Sequence, residues 1–230
     1  MDSHRPLGRS PIRISAIGLG CWQFSEGQGL GGSYWPALPR DTENRIVAAS
    51  LAGGINWFDT AEMYGGGRSE TVLSAALLAA DRKNGDVVVA TKWMPAFRTA
   101  RSLKTTIGER LARLAPFGID LHQVHQPIAL ATVTAQMDAM AELVAEGKVR
   151  TVGVSNFSAA RMRAAHRALA ARGIPLVSNQ VRYSLLHRRI ERNGVLDAAK
   201  ELGVTIIAYS PLAQGILSGK YHREPGLIRS

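Results

Sequence analysis

The chain has 230 residues, 46% hydrophobic and 20% charged, with a formal net charge of +10, which excludes a mainly disordered chain and points to one large domain with a buried core spanning 1–230. One cysteine, Cys21, excludes an internal disulfide and any multi-cysteine metal site and fits a reducing, cytoplasmic compartment. Residues 1–11 carry charges and prolines where a secretory signal needs an apolar core, and no run reaches the roughly 18 apolar residues of a membrane span, so membrane insertion is not expected.

In chain order, residues 5–15 hold Pro6, Gly8 and Pro11 among short apolar positions and read as a small hairpin. An apolar run at 17–19 follows, and then a glycine- and proline-rich stretch, 27–39, with Tyr34 and Trp35 in its midst, which reads as a long loop. From there six further apolar, β-branched runs (55–58, 87–91, 121–125, 151–154, 176–178 and 205–209) alternate with helix-like segments at 41–51, 69–80, 102–114, 132–146, 158–171 and 194–202. Arginines such as Arg161, Arg163, Arg167 and Arg172 are spread along one of these alanine-rich segments as a solvated face. With no dense basic block interleaved with aromatics, nucleic acid is not an expected partner, and the positive charge suits at most an anionic small molecule.

Gly53, Gly85, Gly118, Gly147, Gly173 and Gly203 each precede an apolar run and suit left-handed helix caps. Strands separated by helices run parallel with right-handed crossovers, which leaves a doubly wound sheet or a closed barrel. Gly18-Leu19-Gly20-Cys21-Trp22-Gln23 lacks the last glycine of a dinucleotide fingerprint, and Gly65-Gly66-Gly67 does not supply it. The expected fold class is therefore α/β, a (β/α)8 TIM-type barrel lacking its eighth strand and the helices after it, with the hairpin capping its floor.

Active sites of such barrels form at the carboxyl ends of the strands. Here Asp59, Lys92, His125, Ser155 with Asn156, Asn179 with Gln180, and Tyr209 with Ser210 each end an apolar run. Singly, His125 reads as a hydrogen-bonded strand end and Asp59 as a cap, but Lys92 after Val87–Ala90 must find a partner or lose its charge. With Tyr64 these types solve one problem, reduction of a carbonyl by hydride. Tyr64 supplies the proton, Lys92 lowers the tyrosine pKa from its usual value of about 10, Asp59 keeps Lys92 charged, and His125 polarises the carbonyl. No side chain supplies a hydride, so a cofactor must.

The run 55–65 around Asp59 and Tyr64, Ala90-Thr91-Lys92, the stretch 119–127 around His125, Gly147-Lys148-Val149-Arg150 with 153–158, the stretch 179–186 and Ala208–Gly215 together resemble the ordered motifs of the aldo-keto reductase family. The resemblance implies an NADPH-linked reductase of a small-molecule aldehyde or ketone on a barrel without a Rossmann domain. It further implies that Ser155, Asn156 and Gln180 hold the nicotinamide carboxamide, that Tyr209 stacks on the ring, and that Ser210, Pro211 and Leu212 line the pyrophosphate beside Lys220. Cys21, Trp22 and Gln28 would touch the nicotinamide side, and Asp59 would also border the cofactor. Trp22, Tyr34, Trp35 and Trp93 would wall the substrate pocket, with Gln126, where many members have tryptophan, making it more polar. No metal is implied.

The chain departs from the family at its end, stopping at Ser230 before the segment that grips the adenosine 2′-phosphate. A sheet lacking its last strand exposes an open edge, to be repaired by association into a homo-oligomer or tolerated as weak stability, unless the chain is an inactive fragment of a longer protein. Two rival readings differ in class. One is an NADPH-binding regulatory subunit with little turnover, since potassium-channel β subunits belong to this broader family. The other is an aldolase using Lys92 as a Schiff-base nucleophile.

Overall fold

The computed structural model describes residues 4–29, 34–224 and 226. Strands β1 (His4–Pro6) and β2 (Arg13–Ser15) form an antiparallel hairpin. Seven further strands make one all-parallel sheet in sequence order: β3 (Leu19–Gly20), β4 (Trp57–Asp59), β5 (Val88–Trp93), β6 (Leu121–Val124), β7 (Thr151–Ser155), β8 (Leu176–Arg182) and β9 (Thr205–Tyr209). Helices α1 (Arg40–Ala52), α2 (Arg68–Ala79), α3 (Arg101–Leu114), α4 (Val133–Ala145), α5 (Ala159–Ala170) and α6 (Val195–Leu202) fill the crossovers, and a one-turn α7 (Lys220–Arg223) follows β9. The expected strand and helix runs thus fall where they were read, within four residues at each end.

Local chemistry sets most helix ends. The side chains of Thr132 and Ser158 accept the Ala135 and Arg161 N–H groups at the starts of α4 and α5. Gly85, Gly147, Gly173 and Gly203 have the left-handed backbone expected of them, but Gly53 and Gly118 do not. Gly53 has φ −77° and hands the left-handed position to Gly54, while α3 stops at Leu114 because Pro116 cannot continue it.

The sheet curls until distant strands meet. Gln180 on β8 hydrogen-bonds Asp59 on β4, four strands away in the sheet order, at 3.1 Å. Among the described residues the parallel sheet has seven strands where a closed barrel of this type has eight, with β3 and β9 as the two edges. Between sheet and helices lies the main core, including Phe58, Val89, Trp93, Val124, Val152 and Met140. Inside the curl a second apolar layer, Trp57, Ala90, Leu121, Val177 and Ile207, is sealed from below by Leu7, Ile12 and Ile14 of the hairpin, as expected. Gly8 N–H donates to Thr205 Oγ1 at 2.7 Å, tying the hairpin to β9.

Above that apolar layer the interior turns polar, and the change begins with a glycine. A side chain at Gly153 would lie 2.2 Å from Ser178 Oγ and 3.1 Å from Gln123 Cγ, so its absence makes room for Gln123. A register shift between β7 and β8 at Val152/Gly153 puts Val177 in the apolar layer and brings Gln180 level with Ser155 at the mouth. Among the described residues no helix is long and apolar enough to cross a membrane.

Candidate active site

Lys92 is completely buried and carries its charge in an ion pair. Its Nζ donates to Asp59 Oδ2 at 2.5 Å and Thr60 O at 2.9 Å, and stands 3.5 Å from Tyr64 Oη. The second carboxylate oxygen of Asp59 accepts from Gln123 Nε2 at 3.2 Å and Gln180 Nε2 at 3.1 Å. Burial alone pulls the Lys92 pKa down, but Asp59 and then Tyr64 outweigh it and hold the ammonium above its ordinary range. Gln123 is the residue that sequence reading missed. Its place inside an apolar strand carried no functional signal, although the register that pairs it with Lys92 makes it face the same interior.

Tyr64 begins a tight turn after β4, in which Gly65 has φ +63° and a side chain there would strike Ser25 O at 2.5 Å. Glycine therefore lets this turn press against the first loop, where Trp22 lies. Sequence reasoning expected Lys92 to leave the Tyr64 phenol with a lowered pKa, and the structure gives the opposite sign. Burial raises it more than Lys92 lowers it, because Lys92 is 3.5 Å away and already committed to Asp59. His125 follows β6 and packs its ring edge on Tyr64, centroids 5.6 Å apart at 81°. Burial, then the Lys92 charge, pushes His125 down to about 3, so the imidazole is neutral, and its buried Nδ1 has no partner among the described residues.

The mouth is aromatic. Trp22 stacks on Tyr34 at 5.5 Å and on Tyr64 at 6.0 Å, and meets Trp35 edge-on at 5.8 Å. Part of the 27–39 loop, residues 30–33, lies outside the described residues. Trp93, expected in the pocket wall, points the other way. It is fully buried in the main core and donates Nε1–H to Ser102 Oγ of α3 at 3.0 Å, since neighbouring residues of a strand alternate sides and Lys92 takes the inner one. Cys21 is also wholly buried, so none of its atoms is open to a ligand. Gln28 lies exposed on the first loop, and Gln126 accepts a long bond from Asn156 Nδ2 at 3.4 Å.

The residues expected to cradle a nicotinamide lie side by side. Ser155 Oγ donates to Gln180 O at 2.9 Å, Asn156 N–H to the same oxygen at 2.8 Å, and Tyr209 Oη to Asn156 Oδ1 at 3.1 Å. Asn156 sits at φ +60°, and Tyr209 is half-buried with its phenol pKa raised by burial. Asn179 instead faces outward and brackets the Phe157 backbone with both amide atoms. After β9 the chain turns tightly through Ser210, Ala213, Gln214 and Gly215, all at positive φ, leaving Pro211 and Leu212 exposed and the Lys220 side chain folded back over Gly215.

Buried histidines give the fold a pH signature. His122 on β6 is buried with neither ring nitrogen partnered among the described residues, and burial, then Arg110, pushes it down to about 3. His122 and His125 therefore bind protons more readily in the unfolded chain, so each withdraws roughly 1.4 kcal/mol of stability per pH unit as pH falls from about 6.5 toward 3. Glu70, raised to about 7 chiefly by burial, acts in the opposite sense between about 7 and 4.5. Glu43, also raised by burial, acts in the same sense as Glu70, but the two histidines continue to withdraw stability below about pH 4.5 where both carboxyls have ceased to act, so Tm should drop on acidification toward about pH 4, and His122→Leu should flatten that limb. An acid limb of Tm equally steep in His122→Leu would contradict this assignment.

Residues 16–229 match the model of the aldo/keto reductase family. The chain is 42% identical over 221 residues to an uncharacterised oxidoreductase of Mycobacterium bovis, covering 95% of this chain and 65% of that protein. It is 35% identical over 225 residues to a 6-dehydroglucose reductase of Novosphingobium aromaticivorans, covering 93% and 70%. Among solved structures, a thermostable aldo-keto reductase in complex with the inhibitor epalrestat superposes with TM-score 0.80 at 32% identity, covering 96% of this chain and 77% of that one. A glycerol dehydrogenase from Gluconobacter oxydans gives TM-score 0.80 at 29% identity, covering 96% and 67%. The chain thus spans about 65% of the length of the mycobacterial relative.

Proposed function

The chain belongs to the aldo/keto reductase family, and on that premise we propose that it reduces an aldehyde or ketone to the alcohol with NADPH, Tyr64 acting as the proton donor. The observation that carries this reading is the Lys92 ammonium held between the Asp59 carboxylate and the Tyr64 phenol, with His125 against the same ring. When bound, a reduced nicotinamide supplies the hydride. Ser155, Asn156, Gln180 and Tyr209 would hold it. Gln180 spends its amide N–H on Asp59, which suits its oxygen to an external amide, and Tyr209 offers a half-exposed ring. The turn 210–215 with Lys220 suits the pyrophosphate, and the net charge of +10 favours capture of a polyanion.

The chain's own groups divide the remaining work. A raised pKa keeps Tyr64 protonated at neutral pH, so the acid is in place before reaction. Lys92 then stabilises the tyrosinate left behind, and Asp59, gripped by two glutamines, keeps that cation in position. Neutral His125 donates a hydrogen bond to the carbonyl oxygen without competing as an acid. A paired, fully charged Lys92 lacks the free amine that a Schiff base requires, which counts against the aldolase reading.

The test is loss of reduced-nicotinamide absorbance with a panel of aldehydes and ketones. Substrate-dependent oxidation of NADPH is expected. Tight NADPH binding without turnover across the panel would favour a binding subunit, and borohydride trapping on Lys92 would favour the Schiff base.

A further inference from the structure

A charged network with a buried centre, Glu62, Glu70 and Arg110, lies between β5 and α3, and one member reaches the site by way of the backbone. Glu62 is nearly buried, two residues before Tyr64. Its N–H donates to Lys92 O at 3.2 Å, while its side-chain Oε1 accepts the Met94 N–H at 2.6 Å. One residue therefore grips both flanks of the Lys92–Met94 strand end, and Tyr64 N–H closes the turn onto Ala61 O at 3.0 Å. The carboxylate is clamped from the helix side as well. Arg98 Nη1 donates to Oε1 at 2.5 Å, and Arg110 Nη1 donates to Oε2. Arg98 is itself tied to α3 through Ser102 and Thr106. Glu62, Glu70 and Glu109 face Arg98, Arg110 and Arg113, so each guanidinium meets at least one carboxyl group.

We propose that Glu62 is the positioning residue that holds Tyr64 at its working distance from Lys92. It acts through the turn and the strand end it joins, and touches no reactant. This role rests on Tyr64 being the proton donor. A carboxylate suits the role because two guanidinium groups and a backbone N–H need several acceptor sites converging on one side chain. Glutamine offers one oxygen and turns an N–H toward an arginine, and displacement of a reacting group by about 1 Å can cost 10²-fold in rate.

Glu62→Gln is expected to lower kcat by about 10-fold or more, with KM for NADPH and for the carbonyl within about 2-fold of the parent. A readout independent of turnover is the ζ-¹³C resonance of Tyr64, identified by its disappearance in Tyr64→Phe. In Glu62→Gln it should titrate at higher pH than in the parent, because the phenol moves away from Lys92 while Asp59, Cys21 and His125 still face it. Glu70→Gln supplies the comparison for general damage to the network. Glu70 accepts from Thr91 and lies beside Arg110 and Arg113, and burial raises its pKa to about 7, so a neutral amide resembles a form it takes up readily near neutral pH and kcat should stay within about 2-fold.

An unmoved Tyr64 resonance, or equal kcat losses in both variants, overturns the proposal. If the parent reduces nothing on the panel, the proposed reaction fails while the resonance still decides whether Glu62 positions Tyr64. Should Glu62→Gln fail to fold, Arg98→Met, which removes one clamp at a partly exposed site, takes its place with the same expected directions.

Discussion

Tyr64→Phe is expected to lower kcat by about 10² to 10⁴-fold, the range for loss of a positioned general acid, while leaving Tm and the affinity for NADPH essentially unchanged. The separation follows from what the hydroxyl does in the fold. Its described hydrogen bond is the long one to Lys92 at 3.5 Å, and Lys92 keeps Asp59 and Thr60 O as partners without it. The ring keeps its stack on Trp22 and its edge contact with His125, so the packing that fixes the turn survives. Activity and stability should therefore part company. Steady-state kinetics beside a thermal melt would check this, and turnover within a few-fold of the parent would remove Tyr64 from the proton-donor role.

Lys92→Met should abolish measurable turnover and also destabilise the fold, by about 3–5 kcal/mol, because it strands a carboxylate whose remaining partners are two amides. Asp59→Asn leaves the opposite orphan, a buried ammonium with Thr60 O and Tyr64 as its acceptors. In the double variant neither charge remains, so part of the lost stability should return while the activity does not. Chemical denaturation of the four proteins measures the coupling, expected at roughly 1–3 kcal/mol. Strict additivity of the two single losses would mean that the pair is not a structural unit, whatever it does in catalysis.

The repeating architecture was legible because each crossover carries its own signal, a β-branched run, a helix of period 3.6 and a glycine at the turn. The strand-end rule placed Asp59, Lys92 and His125 at one mouth, and the structure brings them together there around Tyr64. Side-chain direction was harder to read. Trp93 sits one residue beyond Lys92 and goes to the opposite layer, which the alternation of a strand would have revealed had the inner face been fixed first. Gln123 was hidden because a strand buried on both sides gives no contrast between its faces. The sign of the Tyr64 shift was beyond sequence altogether, since it depends on how deeply the phenol is buried against how much of the Lys92 charge Asp59 has claimed.

The bond from Gln180 to Asp59 also links two properties usually measured separately. Asp59 belongs to β4 and Gln180 to β8, and they meet only when the strands between them have docked in order. A partly assembled chain, with β8 and β9 not yet in place, would leave the carboxylate that anchors Lys92 without one of its three donors. Catalysis should therefore appear late in folding and vanish early in unfolding, making turnover a sensitive gauge of whether the last strands have docked.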